Sequence, residues 1–105
     1  MNPKRLMKKG TPRVGDVWVA KVRYSNGIGS KIRPVIITGI KGDEIEFYKC
    51  TTNSGAPGAY HVIDTISAGL YRNTYIVPRT EKANIGCLAH RSGELSRFDM
   101  KVLRC

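Results

Sequence analysis

Two residues combine side chains suited to phosphate chemistry with positions at the ends of apolar segments. Arg33 precedes Pro34 at the start of one apolar run, and Thr51 closes another. A guanidinium donates two parallel hydrogen bonds to anionic oxygens and stays charged throughout. The threonine hydroxyl is a neutral donor, and Thr52 offers the same group. Both positions adjoin glycine-containing loops, where scaffolds commonly present functional groups, so we expect a site there.

Histidines and cysteines are the other residues with chemical potential. His61 can act as a base because histidine titrates near neutrality, although an ordinary edge histidine is the simpler interpretation. Cys87 and His90 have the spacing of half a zinc site, which Cys50 or Cys105 would have to complete. One half-site is a weak signal, so we expect no metal. The cysteines show no disulfide pattern and suit a reducing cytosol, and Cys50 fits a buried strand.

Alternating and continuous apolar runs predict the strands that position these residues. A half-buried strand is expected over 17–24, the most buried strand over 35–40 and a third over 45–50. The turn Lys41-Gly42-Asp43 joins the second and third strands. The chain therefore begins as an antiparallel sheet.

The second half of the chain predicts shorter elements. Strands are expected over 60–66, over 74–77 and around 85–88. Glycine-rich and small polar residues predict loops over 25–31 and 52–59. These loops adjoin the Arg33 and Thr51 positions.

The last residues carry a helix-start pattern. Ser96 can cap the helix while Asp99 reaches back to its amide, and Leu95 can pack on Met100 as a hydrophobic staple. The helix face expected to lie on the sheet consists of Leu95, Phe98 and Val102. The fold class is therefore mainly β (α+β), a small SH3-like, strongly bent antiparallel β-barrel with a short C-terminal helix.

Length and charge limit the domain organisation and the partners. The 105 residues suit one domain with one modest core, which we place over 14–105 after a basic arm over 1–13. Eighteen Lys and Arg against eight Asp and Glu give a formal charge of +10, which attracts polyanions such as nucleic acids. Neither a secretory signal nor a membrane-spanning apolar run is apparent, so no membrane partner is expected.

Three motifs in this order resemble the MazF/PemK family of toxin endoribonucleases. They are GDVWVAKV at 15–22, KIRPVIITG at 31–39 and CTTNSG at 50–55. Weaker similarity continues around 73–80 and 93–96. The resemblance covers about 14–104, and the order and spacing of the motifs make it more specific than any motif alone.

The resemblance implies a cytoplasmic homodimer that cleaves single-stranded RNA, such as mRNA, at short sequence motifs. The ribose 2′-hydroxyl is the nucleophile, and a cyclic phosphate and a 5′-hydroxyl end result. No metal or cofactor is required. A cognate antitoxin holds the toxin inactive, and the two together bind DNA. Arg33 aligns with the arginine that precedes proline in the family, and Thr51 aligns with the threonine at the end of the family's strand. Thr52 is the alternative to Thr51 if the alignment is shifted by one residue.

The same resemblance leaves the general base open. Some family members carry an arginine and an aspartate proposed to act in cleavage, and this chain has Thr74 and Ile76 at those positions. We therefore expect Arg33 to stabilise charge and Thr51 to orient the phosphate.

RNA recognition needs donors for phosphates and base edges and aromatic faces for unstacked bases. Tyr60 and Tyr71 are candidates for stacking. The expected RNA-binding residues are Asn26, Lys31, Asn53, Ser54 and Arg79. A non-catalytic SH3-like nucleic-acid-binding module is the alternative, and it explains the charge equally well while leaving the Arg33 and Thr51 spacing without a reason.

Overall fold

The structure is a computed structural model that describes residues 11–23 and 29–104. The expected site residue Asn26, the first ten residues of the arm and Cys105 lie outside these residues. Within them, no helix is long and apolar enough to cross a membrane. The elements are β1 Asp16–Arg23, β2 Ser30–Lys41, β3 Glu44–Thr51, β4 Tyr60–His61, β5 Tyr75–Asn84, a 3₁₀ helix Ile85–Cys87, β6 Leu88–Glu94 and α1 Arg97–Arg104.

All six strands form one antiparallel sheet in the order β4-β5-β3-β2-β1-β6. The sheet is bent and does not close, because β4 and β6 remain at its two edges. Register shifts between β1 and β6, β2 and β3, and β3 and β5 mark irregularities that bend strands locally. The expected mainly β architecture with one short C-terminal helix is confirmed.

The central strands are buried on both faces, which differs from the single core expected from chain length. Successive residues of a strand point to opposite faces, and Val35, Ile36 and Ile37 are all fully buried. The first cluster consists of Trp18, Ala20, Val22, Val35, Ile37, Ile45, Phe47 and Leu88. The second consists of Val17, Ile36, Cys50, Val62, Ala68, Ile76 and Leu95. The long loop after β4 and the chain around α1 supply the cover for this second face.

Several predicted boundaries were wrong. The strand expected over 60–66 stops at His61, because the amides of Ile63 and Asp64 bind the Asp99 carboxylate instead of a neighbouring strand. The strand expected around 85–88 is the 3₁₀ helix, whose Gly86 amide is capped by the Asn84 side chain at 2.7 Å. The strand expected over 74–77 extends to Asn84, and Ser30 and Lys31, expected in a loop, begin β2.

The helix start at Ser96 was predicted correctly, although the Asp99 carboxylate accepts the Ser96 hydroxyl where its amide was expected, and the predicted buried face was wrong. The Ser96 hydroxyl accepts the Asp99 amide at 3.1 Å and donates to the Asp99 carboxylate at 3.0 Å. Phe98 and Val102, expected on the sheet, are 59% and 43% exposed. Asp99 is the helix residue that points into the protein in their place. Its carboxylate also accepts hydrogen bonds from the Tyr60 hydroxyl at 2.6 Å and from the two loop amides. Met100 and Leu103 pack beside it on the second cluster.

Candidate functional site

Arg33 and Thr51 lie at the same end of neighbouring strands. In the β2–β3 ladder Val35 pairs with Lys49, so each candidate lies two residues beyond that pair. They line one open cavity of about 240 Å³, which we call the arginine cavity. Its other lining residues are Lys31, Ile32, Pro34, Cys50, Thr52 and Arg72. Four of the predicted site residues thus lie together.

The cations of the arginine cavity have no acidic partner among the residues that the structure describes. Within residues 11–23 and 29–104, Lys31, Arg33 and Arg72 take part in none of the ion pairs, whereas Lys49 and Lys82 each pair with a glutamate. An unneutralised cluster of cations at a concave surface attracts anions. The cavity can therefore hold an anionic group such as a phosphate.

Arg72 is the cavity residue that sequence reasoning missed. It lies in the loop before β5, and its backbone carbonyl accepts the Thr74 hydroxyl at 2.9 Å. Its only sequence signal was a positive charge two residues before Thr74. Thr74 and Ile76, which the resemblance aligned with a possible acid–base pair, are both buried. The cation that this part of the chain contributes to the cavity is therefore Arg72, two positions before Thr74.

The Thr51 hydroxyl is oriented by the loop that follows it. Its oxygen accepts the Asn53 amide at 3.0 Å, and the Asn53 side-chain oxygen in turn accepts the Gly55 amide at 2.9 Å. A hydroxyl has one proton to donate, and the accepted bond leaves that proton available. Thr51 is thus suited to donate to an oxygen in the cavity. Thr52 and Ser54 are exposed on the same loop.

Cys50 lines the cavity without offering a reactive thiol. Burial raises the pKa of the Cys50 thiol to about 12, against the opposing effect of the nearby Arg33 charge. A thiol with such a pKa is protonated at neutral pH and is a poor nucleophile. The expectation that Cys50 is a core residue is confirmed.

A second cavity of about 470 Å³ adjoins the first, and we call it the adjoining cavity. Both cavities are lined by Pro34, Thr52 and Arg72, so they lie side by side. The walls found only in the adjoining cavity include Val19, Leu70, Tyr71, His90, Arg91 and Ser92. Sequence reasoning had noted Tyr71 as a stacking candidate, and its side chain is fully exposed.

Other predicted residues lie apart from these cavities. His61 is exposed on β4 and stacks on Tyr75 with the ring centroids 4.7 Å apart. Arg79 is exposed on β5 and lines neither cavity. Tyr60, the other stacking candidate, donates its hydroxyl to Asp99, and burial together with that carboxylate raises its pKa to about 12.

The zinc alternative finds no support in the described part of the chain. No group of three metal-ligating side chains occurs there. Cys50 belongs to the second cluster, whereas Cys87 packs against the first cluster on the other face of the sheet. Cys50 is therefore not placed to complete a half-site formed by Cys87 and His90.

No protein-family model matches the sequence, and no curated protein matches it. Solved structures resemble the fold, among them two from mycobacteria. The toxin MazF-mt6 of Mycobacterium tuberculosis has a TM-score of 0.65 at 18% identity, covering 85% of this chain and 88% of that one. An endoribonuclease in complex with its cognate antitoxin, from a mycobacterial species, has a TM-score of 0.63 at 16% identity, covering 93% and 88%. At these identities the likeness establishes a shared fold.

Proposed function

We propose that this chain is a toxin endoribonuclease of the MazF/PemK type that cleaves single-stranded RNA. The observation that carries the proposal is the arginine cavity, which gathers Arg33, Thr51 and Arg72 on a fold shared with the toxin MazF-mt6. The fold alone does not define an activity. The chemistry of the cavity supplies the argument for RNA cleavage.

The proposed reaction is attack of the ribose 2′-hydroxyl on the adjacent phosphate, which leaves a cyclic phosphate and a 5′-hydroxyl end. Negative charge develops on the non-bridging oxygens during this attack. Arg33 donates to those oxygens, and Arg72, which lines the same cavity, reinforces it. Because both guanidiniums lack an acidic partner in the described chain, their charge is available to the transition state.

Thr51 orients the phosphate in this mechanism. Its oxygen is held by the Asn53 amide, so its proton points to a partner outside that bond. A neutral hydroxyl serves as a donor to a phosphate oxygen more readily than as an acid or base. Catalysis then depends on charge stabilisation and on holding the 2′-hydroxyl in line, without a metal ion.

The proposed partners are a cognate antitoxin and a second copy of the chain. One structural neighbour is an endoribonuclease bound to its cognate antitoxin. Phe98 and Val102 form an exposed apolar face on α1, of the kind that protein partners cover. Cys50 and Cys87 are free thiols, which suits a reducing cytoplasm.

The test is induced expression of the wild type, Arg33→Ala and Thr51→Ala, followed by mapping of new RNA 5′ ends. Lys41→Ala is the matched control, because Lys41 is an exposed cation on β2 that lines neither cavity. We expect growth arrest and 5′-hydroxyl ends in the wild type and the control, and neither in Arg33→Ala. Purified wild-type protein that binds RNA without cutting it would establish the non-catalytic binding module instead.

A further inference from the structure

The adjoining cavity has no role in the mechanism above, although it shares three lining residues with the arginine cavity. Because the cavities are neighbours, a strand whose phosphate lies beside Arg33 can extend to the adjoining cavity. Its volume of about 470 Å³ lies within the range of roughly 300–1,000 Å³ typical of small-molecule pockets. The chemistry of its walls indicates which part of the strand it receives.

Charge distinguishes the two cavities. Arg91 lines the adjoining cavity, and its guanidinium pairs with the buried Asp16 at 3.2 Å and with Glu94 at 2.8 Å. Asp16 is itself fixed by the Trp18 indole N–H at 3.2 Å and the Arg13 amide at 2.9 Å. The charge of Arg91 is therefore neutralised within the protein, unlike the charge of Arg33. Arg72, the cation of the adjoining cavity that forms no ion pair in the described residues, lies on the boundary shared with the arginine cavity, so the walls beyond that boundary are better suited to an uncharged group than to a second phosphate.

The walls match the two kinds of surface on a nucleobase. Val19, Pro34 and Leu70 offer apolar contact for a flat ring, and Tyr71 offers a fully exposed aromatic face. His90 and Ser92 add polar groups at the rim. Unpaired bases bind proteins by stacking on aromatic rings and by hydrogen bonds along their edges.

The wall that carries Tyr71 is held rigidly against β6. Gly69 has a φ of 71°, and a Cβ at that position would overlap the backbone oxygen of Ser92. The Ser92 hydroxyl donates to the Gly69 carbonyl at 2.9 Å, and the Glu94 amide donates to the Ser67 carbonyl at 3.1 Å. The backbone that carries Tyr71 is thus anchored before a ligand arrives, which lowers the cost of ordering this wall on binding, while the exposed Tyr71 ring stays accessible.

We propose that the adjoining cavity binds the unpaired nucleobase next to the scissile phosphate, with Tyr71 as its stacking platform. This inference rests on the proposed function and extends it, because a base pocket beside the reacting phosphate contributes to the choice of cleavage sequence. It assigns the phosphate to the arginine cavity and the base to the adjoining cavity.

The test is a cycle that combines a protein change with a substrate change. The substrate is an oligonucleotide that the wild type cuts, with the base on the 5′ or the 3′ side of the cut replaced by an abasic residue. For the wild type we expect kcat/KM to fall roughly 10- to 100-fold at one of these positions, as stacking on one aromatic ring implies. Tyr71→Ala should show a similar fall with the intact strand and no further fall with the abasic strand.

Two further variants separate stacking from structure. Tyr71→Phe keeps the aromatic face and should retain the wild-type abasic effect. Ile66→Ala removes another exposed side chain of the same loop that lines neither cavity, and it should also retain that effect. The inference is overturned if the abasic effect is as large in Tyr71→Ala as in the wild type.

A binding measurement distinguishes failure of the base pocket from failure of the proposed function. If the wild type cuts no RNA, the affinity of wild type and Tyr71→Ala for a short random-sequence single strand is compared. Weaker binding by Tyr71→Ala would support the base pocket while the endoribonuclease proposal fails. Equal affinities would overturn the base pocket as well.

Discussion

The arginine cavity and the surroundings of Asp99 differ in whether their charged side chains have partners within the protein. Asp99 is fully buried and its carboxylate accepts hydrogen bonds from Tyr60, Ser96 and two loop amides. Arg33 and its neighbouring cations have no acid to pair with in the described chain. The protein pairs the Asp99 charge, which holds the loop to the helix, and within the described residues it leaves the charges at the arginine cavity without an acidic partner.

This contrast separates residues that stabilise the fold from residues that bind. A buried charge without its partners destabilises a protein strongly, so the Asp99 contacts are structural. A half-exposed cation near other cations adds repulsion to the folded state, so Arg33 contributes little to stability. Substitutions at the two places should therefore affect different measurements.

The largest effect is expected from Arg33→Ala on cleavage. Loss of the guanidinium that stabilises the developing charge should lower kcat about 10²- to 10³-fold. The free energy of unfolding should change by less than about 0.5 kcal/mol, because no ion pair is lost. Single-turnover cleavage and urea unfolding of the same preparation check both parts. A large loss of stability in Arg33→Ala would break the contrast.

Asp99→Asn should show the opposite pattern. An amide nitrogen in place of one carboxylate oxygen faces hydrogen-bond donors, so at least one of them loses its acceptor. We expect a loss of about 2–4 kcal/mol in the free energy of unfolding. Asp43→Asn, in the exposed turn between β2 and β3, is the matched control and should be nearly neutral. Equal unfolding midpoints for the two variants would contradict the structural role of Asp99.

The pH dependence of stability sharpens the comparison further. Burial alone would raise the pKa of Asp99, but the hydrogen bonds from Tyr60, the two loop amides and Ser96 together hold that pKa below its ordinary value of 3.8. The ionised carboxylate therefore stabilises the fold above its unfolded pKa, and this contribution is lost as pH falls through the folded pKa. The difference in unfolding free energy between wild type and Asp99→Asn should be constant near neutrality and shrink below about pH 4. A difference that grows on acidification would contradict this assignment.

The smallest predicted effect concerns the salt dependence of RNA binding. Each cation that contacts a phosphate of a single strand contributes roughly 0.7 to the slope of log affinity against log salt. Arg72→Ala should lower that slope by about this amount for an uncleavable 2′-deoxy strand. Lys82→Ala removes a cation that pairs with Glu46 at 3.7 Å, outside both cavities, and should leave the slope unchanged. Identical slopes for Arg72→Ala and wild type would remove Arg72 from the site.

The sequence predicted the strands near the site better than the loops beyond it. β1, β2 and β3 were predicted from runs of apolar residues, because apolar side chains are the ones that strands bury. Arg33 and Thr51 were predicted as site residues because they lie at the ends of those runs. The loop after His61 depends on Asp99, which lies 35 residues beyond Asp64, and no local pattern reveals a contact of that separation. The same contact turned Phe98 and Val102 outward, against the apolar spacing.

Arg72 could not be identified from the sequence for a related reason. Its neighbours in the chain show no motif, and its place in the arginine cavity arises only when the loop before β5 folds beside Pro34 and Thr52. The adjoining cavity likewise combines residues from β1, β2, β6 and two loops. Sites assembled from distant segments require the tertiary structure.

The loop after β4 is closed at its base, where the Val62 amide donates to the Thr74 carbonyl at 2.9 Å. Near one end of the loop, the Ile63 amide donates to the Asp99 carboxylate, and in its middle the Gly69 carbonyl accepts the Ser92 hydroxyl of β6. The exposed Tyr71 side chain takes no part in these hydrogen bonds. Tyr71 can therefore be exchanged without disturbing the sheet. Under the proposed function, exchange of the side chain at position 71 would change which RNA sequence is cut while Arg33 and Thr51 stay in place on the sheet.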